Sequence, residues 1–228
     1  MKVDEYASKV EGFSPRVIVH VGASYLQEID RYQRMIPCKI VWIEAVPKLL
    51  ADMERRVADC GDAAVEHVLI QALVTERDGD RVEFHHFSNK DASSSIFPAT
   101  DRLRGRWPNV KETGDVSILT SSRLETVLQK AAIDPADVDV LLLDIQGAEL
   151  IALKGAGAYL DQVTFVEVEM SLEEIYAGGV LYEDLNAWLE GRGFARVSPV
   201  KWHGDVVYVR AARLADEAFA ALRNVVSA

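Results

Sequence analysis

Asp144, Glu149, Glu167 and Glu169 stand at or beside two strongly apolar runs, VDVLLL before Asp144 and VTFVEVEM from residue 163 to 170. A carboxylate that closes a buried strand must face either a solvated crevice or a partner that offsets its desolvation. In open α/β sheets that crevice, beyond the carboxyl ends of the strands, is where ligands bind. Asp144 is therefore the first candidate for a general base, acting on a hydroxyl if burial raises its pKa or if a divalent metal acidifies the hydroxyl. Asp144, Glu167 and Glu169 would supply oxygen ligands to Mg²⁺. Glu167 and Glu169, two apart, share one strand face; Glu167 is read as a site residue, and Glu169 equally as a site residue or as the partner of an Arg or Lys. Glu149 suits the first turn of the helix that follows Asp144, where a negative charge is favoured.

A second constellation lies upstream. RVIVHVGAS, residues 16 to 24, is a β-branched strand ending in a turn with a single glycine, Gly22, and Glu44 ends the next strand. A glycine at such a turn permits close backbone approach, and the acid about 20 residues on is placed to accept hydrogen bonds from ribose hydroxyls. Turn and acid together suggest a nucleoside. The absence of the second and third glycines of a dinucleotide fingerprint argues against a pyrophosphate across this turn.

These residues need a parallel sheet to position them. Strands alternate with helical patterns: strand 16–23, helix 24–36, strand 38–47, helix 48–60 entered through Pro47, and strand 65–75. RVEFHHFS (81–88) reads as an accessory strand, in which His85 and His86 face opposite ways and make a poor metal pair. Residues 89 to 120 read as an irregular insertion or lid. Helical and strand patterns then resume with a helix 121–132 capped by Ser121 or Ser122, the strand before Asp144 with a helix from about Gly147, strand 163–170, an amphipathic helix 181–194, runs FARVSPV and DVVYVR, and a final helix 215–226. His203 is open to two readings, a contribution to the acceptor pocket or plain surface, of which surface is preferred. Tyr176, Trp107 and Trp202 are candidates for a stacking wall, and Arg102, Arg104 and Arg106 for a solvated basic loop.

Composition sets outer limits. The 228 residues are 49% hydrophobic, enough for one substantial core, so a single domain over 1–228 is expected. The formal net charge of -11 disfavours nucleic acid or an anionic membrane as the main partner. Two cysteines, with no leader-like or spanning segment, suggest the cytoplasm. A homo-oligomer stays open.

The ordered motifs HVGAS (20–24), VWIEAVP (41–47), SSSI (93–96), DIQGAELIALKGAG (144–157), VEVEMSLEEIY (166–176) and GDVVYV (204–209) make the chain resemble the FkbM family of S-adenosylmethionine-dependent methyltransferases over roughly residues 16 to 210. The resemblance implies a Rossmann-like, three-layer class I methyltransferase fold of the α/β class, with a seven-stranded, mostly parallel sheet whose last strand is antiparallel. It implies S-adenosyl-L-methionine as cofactor, held by His20, Gly22, Ala23, Ser24, Glu44, Ala45, Gln71, Ala72, Ser94, Ser95, Asp144 and Ile145. Asp144 and Glu167 would be the catalytic pair. The acceptor would be a small molecule or glycan: a hydroxyl on a saccharide, glycolipid or polyketide-type metabolite. At His20 the family pattern usually has an acid, and at Ser24 an asparagine-like residue. The rival readings are an NAD-dependent oxidoreductase, suggested by the β-α-β opening and Glu44, and a non-catalytic module that binds the cofactor.

Overall fold

Strands rich in Val, Ile and Leu that bury both faces must lie in the middle of a covered sheet. In the computed structural model, which describes residues 2–61 and 64–226, these are β1 (Val17–Val21), β2 (Lys39–Glu44), β7 (Val138–Leu143) and β8 (Phe165–Ser171). With β3 (Glu66–Gln71), β9 (Phe194–Arg196) and β10 (His203–Arg210) they form a seven-stranded sheet of order β3-β2-β1-β7-β8-β10-β9. β10 runs antiparallel to both of its neighbours, and the other recorded pairings are parallel. This is the sheet that the family resemblance implies.

Side-chain alternation gives the two faces different characters. One face, with Val19, Val41, Leu141 and Val166, packs against helices Leu124–Lys130, Glu149–Lys154 and Tyr182–Gly191 in an almost purely apolar layer. The other, with Ile18, Ile40, Trp42, Leu142 and Phe165, is covered by helices Val3–Ala7, Ile29–Gln33 and Leu50–Cys60. The same alternation places His20, Glu44 and Glu167 on this second face, and all three are buried.

β4 (Leu73–Thr75), β5 (Arg81–Phe87) and β6 (Glu112–Arg123) make a separate three-stranded sheet, order β4-β6-β5. The run 65–75, expected as one strand, divides at Ala72: β3 stays in the main sheet and β4 joins the small one. Residues 89–120 are likewise not irregular throughout, since they contain a helix, Asp101–Arg106, and most of β6. β6 escaped the periodicity test because half of its residues are exposed, Val116 and Ile118 among them, and it is held by main-chain pairing to β5. Ser121 and Ser122 pair with Leu73 and Val74 instead of capping a helix, which begins at Leu124. The helix expected over 24–36 is confined to Ile29–Gln33.

His20 is fully enclosed. Its Nδ1 lies 3.1 Å from the Tyr32 hydroxyl, and its ring is 5.6 Å from that of Trp42. Burial, reinforced by the charges of Arg31 and Lys2, lowers its pKa to about 3. Glu167 lies close by, taking the Val3 N–H at 2.5 Å and pairing with Arg31 at 3.2 Å and Lys2 at 3.6 Å.

Two outcomes are expected. Gly22 has φ +86, and a Cβ there would come 1.9 Å from the Asp144 carbonyl oxygen, so Gly22→Ala should lower unfolding free energy by roughly 3 kcal/mol, as read by urea denaturation. Between about pH 6.5 and 3, unfolded His20 binds a proton that the folded residue refuses. His20 therefore contributes a loss of stability as pH falls, with a slope of up to about 1.4 kcal/mol per pH unit. Denaturation series at pH 7, 6 and 5 should show a shallower slope in His20→Gln.

Candidate active site

The turns after β1, β2 and β7 are tied to one another. Gly22 and Ala23 donate their N–H groups to the Ile43 carbonyl at 2.9 and 3.1 Å, and Asp144 donates its own to Val21 at 3.0 Å. Glu44, 93% removed from solvent, accepts the Ser24 N–H at 2.8 Å on one oxygen and the Val46 N–H at 2.8 Å on the other. Burial pushes its carboxyl above the ordinary range, although these backbone bonds oppose the shift. The result is a cavity of about 540 Å³ over the ends of β1, β2 and β7, walled on its far side by Leu73, Phe84 and Ile96 and bounded by the strap 89–96. The Ser24 hydroxyl lines it, buried and without a hydrogen-bond partner.

Asp144 stands where this cavity meets a second one of about 870 Å³, which also receives Trp107, Glu169, Tyr176 and His203. Gln146 links the groups. Its Nε2 donates to Asp144 Oδ1 at 2.5 Å and to Glu169 Oε2 at 2.8 Å, and its Oε1 accepts the Tyr176 hydroxyl at 2.7 Å. Its backbone carbonyl accepts Ser95 Oγ at 2.8 Å, and its φ is +58. Burial, then the charges of Glu169 and Glu149, drive the Asp144 pKa well above its ordinary value. Glu149 is buried with a pKa raised to about 7, chiefly by desolvation, and accepts the Ile145 and Gly147 N–H groups at 3.0 and 3.2 Å. It braces the turn that presents Asp144.

Of the residues expected at the cofactor, Gly22, Ser24, Glu44, Ala45, Ala72, Ser94, Asp144 and Ile145 line the first cavity. The others do not. His20 is buried under the sheet end and lines a separate small cavity with Asp144 and Glu167, Ala23 is buried and contributes through its backbone, Gln71 turns outward to the Ala45 carbonyl at 3.2 Å, and Ser95 braces Gln146. Glu167, expected as a catalytic partner of Asp144, is bonded to Lys2, Val3 and Arg31 under the N-terminal helix, and it lines a small third cavity together with Asp144 and His20. Among the described residues no group of three or more His, Cys, Asp or Glu is arranged to hold a metal. The expectation of Mg²⁺ ligation by Asp144, Glu167 and Glu169 thus finds no support.

His203 is not a surface residue. Register fixes it opposite Ser171, its Nδ1 is 2.6 Å from Ser171 Oγ, and its Nε2 is 3.3 Å from Glu169. Trp107 lies edge-on to it at 5.1 Å and packs against Trp202. The three arginines of the insertion are occupied: Arg102 with Glu173, Arg104 with Asp101 and Glu112, and Arg106 over the Trp202 ring. Sequence reasoning passed over Asp91, which lines the first cavity, and Gln146, although Gln146 lies inside the DIQGAEL text that drew attention to Asp144.

Known proteins share this fold and family text. Residues 17–195 match the methyltransferase FkbM domain. The 2-O-methyltransferase NoeI of Sinorhizobium fredii is 27% identical over 169 residues, covering 71% of this chain and 66% of that protein, so the chain spans just under two thirds of that relative's length. The crystal structure of methyltransferase FkbM from Methylobacillus flagellatus KT shares the fold with a TM-score of 0.51 and 17% identity, over 90% of this chain and 50% of that one. The chain belongs to the FkbM family of S-adenosylmethionine-dependent methyltransferases.

Proposed function

We propose that this protein transfers a methyl group from S-adenosylmethionine to a hydroxyl of a saccharide, glycolipid or polyketide-type metabolite. The observation that carries the cofactor half is the charge of the first cavity. Glu44, Asp91 and Asp144 line it, and no Lys or Arg is among its described lining residues. A pyrophosphate would meet the Glu44 and Asp144 carboxylates, with Lys48 already paired to Asp91, whereas a nucleoside with hydroxyl and amino donors and a cationic sulfonium suits such a wall. This disfavours the dinucleotide of an oxidoreductase. The residues fit the nucleoside: bare backbone at Gly22, the unpaired Ser24 hydroxyl for the amino-acid tail, and Glu44 for the ribose.

Bound there, S-adenosylmethionine would supply an activated methyl group. The chain's own work is alignment and proton removal. Asp144, at the junction of the two cavities, takes the acceptor's proton. Gln146 fixes its carboxylate, and Glu149 fixes the turn that carries it. Trp107 and Tyr176 offer the flanking cavity an aromatic surface and His203 and Glu169 a polar one, a mixture suited to a polyhydroxylated ring. The hydroxyl-directed activity named for the Sinorhizobium relative supports the O-methyl reading.

Calorimetry should give binding of S-adenosylmethionine and S-adenosylhomocysteine and none of NAD; selective NAD binding would overturn the proposal. Glu44→Gln should weaken S-adenosylhomocysteine by about tenfold, roughly 1.4 kcal/mol, with a folded protein by circular dichroism. With a panel of methyl glycosides and hydroxylated metabolites, Asp144→Asn should cut turnover at least about 100-fold while cofactor affinity stays close to wild type. Because the acid form of Asp144 cannot take a proton, wild-type turnover should rise with pH through its elevated pKa. A flat profile from pH 5 to 9 would remove Asp144 as the base.

A further inference from the structure

The strap 89–96 contributes a carboxylate to the cofactor cavity that the reaction as described does not use. Asp91 adopts a left-handed backbone, φ +65, and its side chain is only 2% exposed. Its Oδ1 lies 2.7 Å from His86 Nδ1 and accepts Ser94 Oγ at 2.8 Å, and its Oδ2 pairs with Lys48 Nζ at 2.5 Å. His86 is held in turn by Ser117 Oγ, 2.7 Å from its Nε2. Burial opposes ionisation here, yet the bonds from Lys48, His86 and Ser94 outweigh it and keep the carboxyl below its ordinary pKa. A carboxylate accepts about four hydrogen bonds. Three come from the protein, which leaves one acceptor position on a residue that lines the cavity.

The surroundings say what would fill it. The His86 ring lies 5.4 Å from Phe84, so Asp91 stands at the Phe84 end of the cavity, where Ala72, Leu73 and Ile96 complete an apolar wall. Apolar walls with one buried acceptor suit a flat heteroaromatic ring that carries a donor at its edge. A carbonyl at the same edge would face the carboxylate lone pairs, leaving both acceptors desolvated and unmatched.

We propose that Asp91 reads the purine base of the nucleoside, accepting a hydrogen bond from a 6-amino group and rejecting a 6-oxo group. This deepens the methyltransferase reading and rests on it. Lys48, His86 and Ser94 hold the carboxylate charged and aimed, while Glu44 addresses the ribose from the β2 end.

The test compares S-adenosylhomocysteine with S-inosylhomocysteine, which differ only at that edge, by calorimetry on the full chain. Wild type should prefer the amino ligand by at least about 30-fold. Asp91→Asn keeps an oxygen for His86 and Ser94 but presents a carboxamide donor, and should bring the two affinities within about threefold. Asp91→Ser, which removes the charge without the carboxamide, should abolish the preference as well and stands in if Asp91→Asn melts early. A preference that survives in both variants, or affinities that fall by the same factor for both ligands, would overturn the assignment. If wild type binds neither compound, the methyltransferase reading falls with it; binding of both without preference overturns the Asp91 proposal alone.

Discussion

Gly22 passes so near the Asp144 carbonyl that no side chain fits between them, and from that contact the rest of the sheet end is organised. Three turns that would otherwise present bare backbone to water satisfy one another: the first donates to the end of β2, the turn after β7 donates to the end of β1, and the Glu44 carboxylate bonds the two turns flanking it. Buried backbone groups must find partners, and here the pairing that satisfies them also fixes the positions of a carboxylate at each edge of a common cavity. Glu44 and Asp144 need no flexible loop to place them. Each is carried on a strand buried on both faces, which gives the site the rigidity of the core.

The polar groups collected on one face of the sheet divide into two sets. Toward the N-terminal helix, Glu167, Arg31 and Lys2 pair with one another around a small cavity, and His20 remains neutral beside them. Toward the cavities, Asp144, Gln146, Glu169, Tyr176 and His203 stay connected to open space. Both sets arise from the same strand periodicity. What distinguishes Glu167 from Glu169 is the neighbour that covers it, a helix carrying cations in the first case and an aromatic loop in the second.

That difference explains how far the sequence could be read. The doubly buried strands, the single turn glycine and the strand-end acids were legible because each is a local pattern with one physical meaning. So was the bracing role of Glu149, since a carboxylate in the first turn of a helix has nearby N–H groups whatever the tertiary structure. The partners of Glu167 were not legible because they come from residues 2, 3 and 31, a pairing no local pattern encodes. His203 was misjudged for the same reason, its place being set by register against Ser171 across a hairpin-like pairing of distant segments. β6 was hidden because a strand held mainly by its backbone has no apolar signature, and Asp91 because an acid in a serine-rich turn looks solvated until the strap is seen over the cavity.

The division of one continuous run at Ala72 has a mechanical meaning. β3 and β4 are separated by that one residue, which binds the Glu44 carbonyl through its N–H at 2.9 Å and lines the first cavity. The small sheet is thus cantilevered from the large one at the cavity wall, and the ladder of β4 with β6 continues the load path outward. A displacement of that wall cannot be absorbed by a loop. It must be shared between two hydrogen-bonded sheets, so this wall of the slot moves only with both of them, while the strap 89–96 bounds the slot as a separate segment.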